Sequence, residues 1–266
     1  MLLEWIRKIV PIRYRQGLGL WTLRQVGRSK LLLNPYFLLL CGKVPKNLTL
    51  TKDDCYVFYQ GRKIFAPCDG ILAFIEVLQD RVYEMFFTLH TGDVIVDIGA
   101  YVGMFTVRAA LTVGGDGKVL AIEPAPANIE YLRRNTQDIG NIRIVAGAAG
   151  RERKDGLLTV SNASPCHSLL PKQGFDTVTV RIDTLDSILR EAGVDRVDLI
   201  KIDAEGSEMD ILAGATETLK QPNVKLAVAA YHDLPSGEPE LYKVAKFLTD
   251  AGFKIRIVKK YVYAEK

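Results

Sequence analysis

Hydrophobic and polar positions between residues 92 and 263 follow two alternating patterns. Short, almost wholly apolar runs predict buried strands at 93–98, 119–122, 142–145, 197–202 and 225–229. Stretches with helical spacing predict helices from Gly103 onward and at 127–137, 185–190, 207–219 and 240–250. Strands buried on both faces and interleaved with helices are typical of a doubly wound α/β sheet. Two final strands, 254–258 and 261–263, predict a C-terminal hairpin.

The N-terminal part of the chain follows a different pattern. Apolar residues between Leu2 and Ile9 fall at helical spacing, and Pro11 ends that predicted helix. Residues 55–59 and 63–66 flank a glycine turn and predict a small β-hairpin. We therefore expect two parts, a helical and β-stranded N-terminal extension at 1–75 and a main domain at 76–266.

Positive charge is concentrated at the N-terminus. Residues 1–30 carry seven basic residues and one acidic residue, whereas the rest of the chain carries 28 basic and 30 acidic residues. The main domain therefore gives little support for specific nucleic-acid binding. The basic segment is expected to pack as helices, with contact to an anionic membrane surface or a polyanion as alternatives. We find no secretory signal and no apolar run long enough to span a bilayer, so we expect a cytoplasmic protein, with peripheral membrane contact as an option.

A glycine-rich turn, Asp97-Ile-Gly-Ala-Tyr-Val-Gly103, follows the first strand of the alternating region. Gly99 would permit a tight turn and the close approach of a ligand, and Gly103 would let the next helix start close to the sheet. Asp97 would hold the turn or accept a hydrogen bond from the ligand's amino group. Because position 101 is tyrosine, the pattern departs from the GxGxxG fingerprint of NAD-binding proteins and favours S-adenosylmethionine (SAM).

A carboxylate ends the second strand of the alternating region. Glu123 lies about twenty residues after the glycine turn, at the position from which an acidic side chain can accept hydrogen bonds from both ribose hydroxyls of a nucleoside. An ionised carboxylate is suited to this because it only accepts. Together with the glycine turn, Glu123 predicts nucleoside binding.

More charged residues cluster where strand 197–202 ends. Lys201, Asp203 and Glu205 interrupt an otherwise apolar run, and Asp203 and Glu205 are expected to point into the crevice beyond the carboxyl ends of the strands. Ser207 is expected to cap the following helix. Glu208 is expected to be an exposed acid in its first turn, favoured by the helix dipole.

Three histidines and four cysteines complete the candidate chemistry. His232 follows strand 225–229 and is the candidate base for a hydroxyl nucleophile, because histidine titrates near neutral pH. His90 and His167 are expected to have structural roles or none. The cysteines lack CxxC spacing, so a structural zinc site is not expected.

Taken in order, these motifs resemble the FkbM family of SAM-dependent methyltransferases over roughly residues 80–255. The most specific part is the segment 182–189 followed by 197–215, and the region around Ser168 also matches. The resemblance implies a Rossmann-like class I fold with a seven-stranded, mostly parallel sheet, and SAM as the cofactor. By matched position it implies a cofactor site formed by Asp97, Gly99, Ala100, Tyr101, Gly103, Glu123, Pro124, Asn141 and Ala148. Of these, Asn141 and Ala148, around the third strand, would lie near the adenine.

The resemblance also implies a reaction, because members of this family mostly methylate oxygen atoms. We expect in-line transfer of a methyl group to a hydroxyl of a sugar, a glycolipid or another small molecule, in a crevice lined by Asp203, Glu205 and His232. Many members carry a glutamate two residues before the histidine, where this chain has Ala230. The alternatives are Mg²⁺ on Asp203 and Glu205, a nitrogen acceptor on protein or RNA, and a SAM-binding or scaffold protein without turnover.

Overall fold

The computed structural model describes residues 47–51, 54–160, 167–169, 176–231 and 240–266. The chain divides into two compact units, Met1–Asp80 and Arg81–Lys266. The helices expected within residues 1–30, and the membrane contact proposed for that segment, lie outside the described residues. No helix in the described part of the chain is both long and apolar enough to cross a membrane.

In the first unit, the described residues form a small antiparallel sheet and a helical run. Strands β1 (Leu48–Leu50), β2 (Asp54–Tyr59) and β3 (Arg62–Pro67) pair in that order. The predicted hairpin is therefore present as β2 and β3, with β1 added at its edge. Buried and more exposed side chains alternate along β2, as expected for a sheet with one face in a core. Residues 68–79 then form a continuous helical run.

The second unit is built on a seven-stranded sheet, which confirms the predicted α/β class. Its strands are β4 (Val94–Ile98), β5 (Lys118–Glu123), β6 (Ile142–Ala146), β10 (Leu199–Ile202), β11 (Lys225–Ala229), β12 (Lys254–Val258) and β13 (Tyr261–Glu265). Their order is β12-β13-β11-β10-β4-β5-β6. Neighbouring strands from β11 to β6 are parallel, and β13 pairs antiparallel with both β11 and β12. The carboxyl ends of β11, β10, β4, β5 and β6 therefore share one edge of the sheet.

Helices connect these strands and cover the sheet. They are α1 (Met104–Val113), α2 (Pro126–Thr136), α3 (Leu185–Glu191), α4 (Glu208–Ala213) and α5 (Glu240–Asp250). A second small sheet of β7 (Ala148–Gly150), β8 (Lys154–Val160) and β9 (Asp176–Thr184) lies between β6 and α3 in the chain. One large core cluster packs apolar residues of the central strands against α3, α4 and α5.

The helix predicted at 207–219 is shorter than expected and ends at Ala213. Gly214 lies so close to β7 that a Cβ atom there would approach the carbonyl oxygen of Gly150 to 2.0 Å. The carboxylate of Asp186 then accepts hydrogen bonds from the main-chain N–H groups of Glu217 and Thr218, both at 2.9 Å. The packing of Gly214 against β7 and the hydrogen bonds to Asp186 therefore interrupt a segment whose apolar pattern predicts a single helix.

Candidate active site

The glycine turn after β4 is held tightly against the neighbouring strand. Gly99 has φ = +71°, and a Cβ atom at this position would lie 1.8 Å from the carbonyl oxygen of Asp203. The main-chain N–H groups of Gly99 and Ala100 both donate to the carbonyl oxygen of Ile122, at 3.0 and 3.1 Å. Glycine is therefore required at 99 by the backbone that follows β10, as well as by the turn itself.

Gly103 serves a different contact from the one that the sequence predicts. It has φ = +87°, and a Cβ atom there would lie 2.6 Å from Cδ1 of Leu132. Leu132 belongs to α2, so the glycine allows the start of α1 to approach the neighbouring helix rather than the sheet. The expectation of a close approach to the sheet is corrected accordingly.

Asp97 and Lys201 form a buried ion pair beneath the turn. Asp97 is fully buried, its Oδ2 accepts a hydrogen bond from the Thr106 hydroxyl at 2.6 Å, and its Oδ1 lies 3.0 Å from Lys201 Nζ. That contact is an ion pair without the alignment of a good hydrogen bond. The same ammonium donates to the carbonyl oxygens of Ile98 at 3.1 Å and Gly99 at 2.6 Å. Of the two roles considered for Asp97, these contacts favour holding the turn.

Glu123 ends β5 with its carboxylate held by three donors. Oε2 accepts from the main-chain N–H of Tyr101 at 2.8 Å, and Oε1 accepts from the main-chain N–H of Ala125 at 3.0 Å and from Nδ2 of Asn128 at 3.1 Å. Tyr101 reaches this position in the left-handed region, with φ = +54°. Burial raises the pKa of Glu123 above its ordinary value, although the three hydrogen bonds and the charge of Lys201 act in the opposite direction.

Asp203 follows β10 with its carboxylate between two tyrosine hydroxyls. Oδ2 accepts from Tyr83 at 2.6 Å and Oδ1 accepts from Tyr231 at 2.9 Å. Tyr83 is buried, with its ring edge-on to those of Phe105 and Tyr261. The main-chain N–H of Asp203 also donates to the carbonyl oxygen of Ile98 at 3.1 Å, which ties the residue to the glycine turn.

The short helical segment Val82–Glu84 carries Tyr83 and is anchored at both of its ends. The Tyr263 hydroxyl donates to the carbonyl oxygen of Val82. Glu84 forms a buried ion pair with Arg108 of α1, with Oε1 2.9 Å from Nη2. Contacts with β13 and with α1 therefore fix the position of Tyr83 against Asp203.

Beyond Asp203 the chain makes a tight turn into α4. Glu205 and Gly206 have φ of +53° and +97°, and the carbonyl oxygen of Glu205 accepts a hydrogen bond from the Ser168 hydroxyl at 2.7 Å. Ser207 occupies the cap position of α4, but its side chain makes no capping hydrogen bond. Glu208 is fully buried and its Oε1 accepts from the main-chain N–H of Ala204 at 2.8 Å. The expectation that Glu208 is exposed is wrong, because it holds the turn.

The structure brings most of the predicted site residues to the shared carboxyl edge, but not all of them. Pro124 follows Glu123 directly, and Ala148 follows Gly147, whose N–H donates to the carbonyl oxygen of Glu123 at 3.1 Å. Asn141 instead precedes β6 at the opposite edge, and its amide donates to the carbonyl oxygens of Ala110 and Gly114 at 3.0 and 2.7 Å. It ties the end of α1 to the sheet, so we leave it out of the proposed cofactor site.

His232 lies outside the described residues, directly after Tyr231. His90 is at the opposite edge, before β4, with a side chain 66% exposed. Among the residues that the structure describes, no three histidine, cysteine, aspartate or glutamate side chains converge in a way that could hold a metal ion.

Sequence reasoning did not identify Tyr83, Tyr231 or Asn128 as partners of the predicted carboxylates. Tyr83 lies before the first strand of the main sheet and far along the chain from Asp203, so no local pattern connects them. Asn128 could have been found, because it stands five residues after Glu123, in the first turn of the helix that the strand leads into.

Comparison with known proteins identifies the family. The profile of one family, described as the methyltransferase FkbM domain, matches residues 97–255. The 31-O-demethyl-FK506 methyltransferase FkbM of Streptomyces tacrolimicus is 28% identical over 214 residues, which are 68% of this chain and 80% of that protein. The 2-O-methyltransferase NoeI of Sinorhizobium fredii is 27% identical over 172 residues, 58% of this chain and 70% of that protein. A solved structure of methyltransferase FkbM from Methylobacillus flagellatus KT aligns with a TM-score of 0.49 at 20% identity, over 70% of this chain and 48% of that one. Since the profile covers more than half of the sequence, the chain belongs to the FkbM family of SAM-dependent methyltransferases.

Proposed function

We propose that the protein transfers a methyl group from SAM to a hydroxyl oxygen of a small-molecule acceptor such as a sugar or a glycolipid. The observation that carries this proposal is the placement of two oriented carboxylates, Glu123 and Asp203, at the same edge of the sheet on either side of the glycine turn. The printed names of two relatives, a 31-O-demethyl-FK506 methyltransferase and a 2-O-methyltransferase, support oxygen as the accepting atom.

The chemistry of the residues at this edge fits SAM. Glu123 supplies an oriented acceptor for a ribose hydroxyl, and Gly99, which adopts a positive φ, presents no side chain at the turn. When bound, SAM supplies a methyl group that is already activated for displacement. The protein then has to position the acceptor and remove its proton.

In this proposal Asp203 orients the acceptor hydroxyl or His232, and Glu205 lines the same crevice. Each oxygen of the Asp203 carboxylate accepts one tyrosine hydroxyl, which fixes its direction and leaves acceptor capacity for a substrate hydroxyl or an imidazole N–H. His232 follows Tyr231, whose hydroxyl is bonded to Asp203, and this connection supports His232 as the base.

Methyl transfer from radiolabelled SAM to a panel of methyl glycosides, amino sugars and other hydroxylated small molecules tests the proposal. We expect incorporation into an oxygen atom, and His232→Ala should lower the rate roughly 10²- to 10⁴-fold, the usual contribution of a general base. His90→Ala, which changes an exposed histidine at the opposite edge, should keep the wild-type rate. An unchanged rate in His232→Ala would remove the histidine from the mechanism, and labelling of nitrogen instead of oxygen would reject the proposed acceptor class.

A further inference from the structure

The carboxylate of Glu123 is nearly saturated with hydrogen bonds from the protein. A carboxylate oxygen accepts about two hydrogen bonds, so the group has about four acceptor positions. Within the described residues, Oε1 uses both of its positions, for the Ala125 N–H and the Asn128 amide, and Oε2 uses one, for the Tyr101 N–H. One position, on Oε2, is left for a ligand, although the sequence alone suggested room for both ribose hydroxyls.

Of the three donors, Asn128 is the one supplied by a side chain. The N–H groups of Tyr101 and Ala125 are fixed by the backbone of the turns that follow β4 and β5. Asn128 is 4% exposed and presents its NH₂ group to Oε1, since a carboxylate offers nothing for the amide oxygen to accept. With the two backbone donors it restricts the rotation of the carboxylate, and it is the contact of the three that a side-chain substitution can remove.

We propose that Asn128 is a positioning residue of the cofactor site, which occupies Oε1 of Glu123 and so directs the remaining acceptor position on Oε2 toward a single ribose hydroxyl. This inference rests on the proposed SAM site. It assigns Asn128 no contact with the reacting atoms.

The same contact contributes to the protonation equilibrium of Glu123. Burial raises the pKa of Glu123, while the hydrogen bonds from Ala125, Tyr101 and Asn128 and the charge of Lys201 on β10 lower it. An acceptor-only role requires the ionised carboxylate, so SAM affinity should rise as the pH rises through the pKa of Glu123. The contribution of Glu123 to stability has the opposite sign: folding raises its pKa, so the free energy of unfolding falls as the pH rises from the unfolded value through the folded one.

Two substitutions separate positioning from simple packing. Asn128→Ala removes the donor, and we expect SAM to bind roughly tenfold more weakly at pH 7, the effect of one hydrogen bond to a charged group. SAM affinity should then increase over a higher pH range than in the wild-type protein, because Glu123 has lost a hydrogen bond that favours its ionised form.

Asn128→Asp places a second carboxyl beside Glu123, and the two should share one proton. The introduced carboxyl can then donate to Glu123 as the amide does, but only while it holds that proton. We therefore expect a bell-shaped dependence of SAM affinity on pH, with binding weakening on the alkaline side, where the wild-type protein binds best.

Calorimetric titration of SAM into the full chain between pH 5 and 8 measures all of these affinities without an acceptor. Gln221→Ala is the matched control, since this side-chain amide makes hydrogen bonds at the opposite edge of the sheet, to the backbone there, and its loss should leave SAM affinity unchanged. Thermal unfolding of each variant shows whether it is folded. If wild-type protein fails to bind SAM, the proposed function fails. If it binds SAM and both Asn128 variants keep the wild-type affinity and pH profile, the positioning role is rejected while the proposed function stands.

Discussion

Replacing Lys201 with methionine should destabilise the second unit strongly, because it leaves a charge buried without its partner. The side chains of Lys201 and Asp97 are 5% and 0% exposed, and the ammonium also donates to two carbonyl oxygens of the glycine turn. Removing one member of a buried ion pair typically costs about 3–5 kcal/mol. For a folding unit of this size, each kcal/mol of lost stability lowers Tm by about 2–4 °C, so we expect Tm to fall by roughly 6–20 °C.

The measurement is urea unfolding of wild type, Lys201→Met, Asp97→Asn and the double variant. The double variant should lose less stability than the two single losses added together, by about 1–3 kcal/mol, because it no longer contains an isolated charge. Lys225→Met changes a partly exposed lysine on the adjacent strand and should cost less than about 1 kcal/mol. A loss below about 1 kcal/mol in Lys201→Met, or strict additivity in the double variant, would refute the reasoning.

Two further variants test the contacts around Asp203. Gly99→Ala should unfold the turn or abolish SAM binding, since the added Cβ would meet the carbonyl oxygen of Asp203 at 1.8 Å. Circular dichroism measures the folding and calorimetry measures the SAM binding, and wild-type behaviour in both would contradict the geometry. Tyr83→Phe should lower the free energy of unfolding by about 1–3 kcal/mol, because it removes one hydrogen bond to a carboxylate. Tyr242→Phe on the surface should leave the stability unchanged. Equal stability of the two variants in thermal unfolding would show that the Tyr83 hydroxyl contributes nothing.

Local pattern was sufficient for the architecture of the second unit. Strand β11 and helix α5 have the bounds that the apolar pattern indicates, because a strand buried on both faces leaves a continuous apolar run and an amphipathic helix leaves a helical periodicity. Edge strand β12 also has its predicted bounds. The predicted place of Glu123 at the carboxyl end of β5 also follows from this, since a single acidic residue ends an apolar run.

What local pattern could not supply were contacts between distant segments. Glu208 and Asp97 are charged residues with full burial, which composition and spacing do not indicate. The end of α4 depends on the backbone of Gly150, and the orientation of Asp203 depends on Tyr83, more than a hundred residues earlier in the chain. Matched position assigns Asn141 to the cofactor site, but its amide joins α1 to the sheet.

Titration of SAM into the wild-type protein and into Glu123→Gln tests the central claim most directly, with NAD⁺ as the negative control. The account predicts saturable binding of SAM at one site per chain, no binding of NAD⁺, and an affinity roughly 10- to 100-fold lower in the variant, the range expected for a hydrogen bond to a carboxylate. Absence of SAM binding, or equal affinity in wild type and a folded Glu123→Gln variant, would contradict the assignment of the cofactor site to the carboxyl ends of β4 and β5.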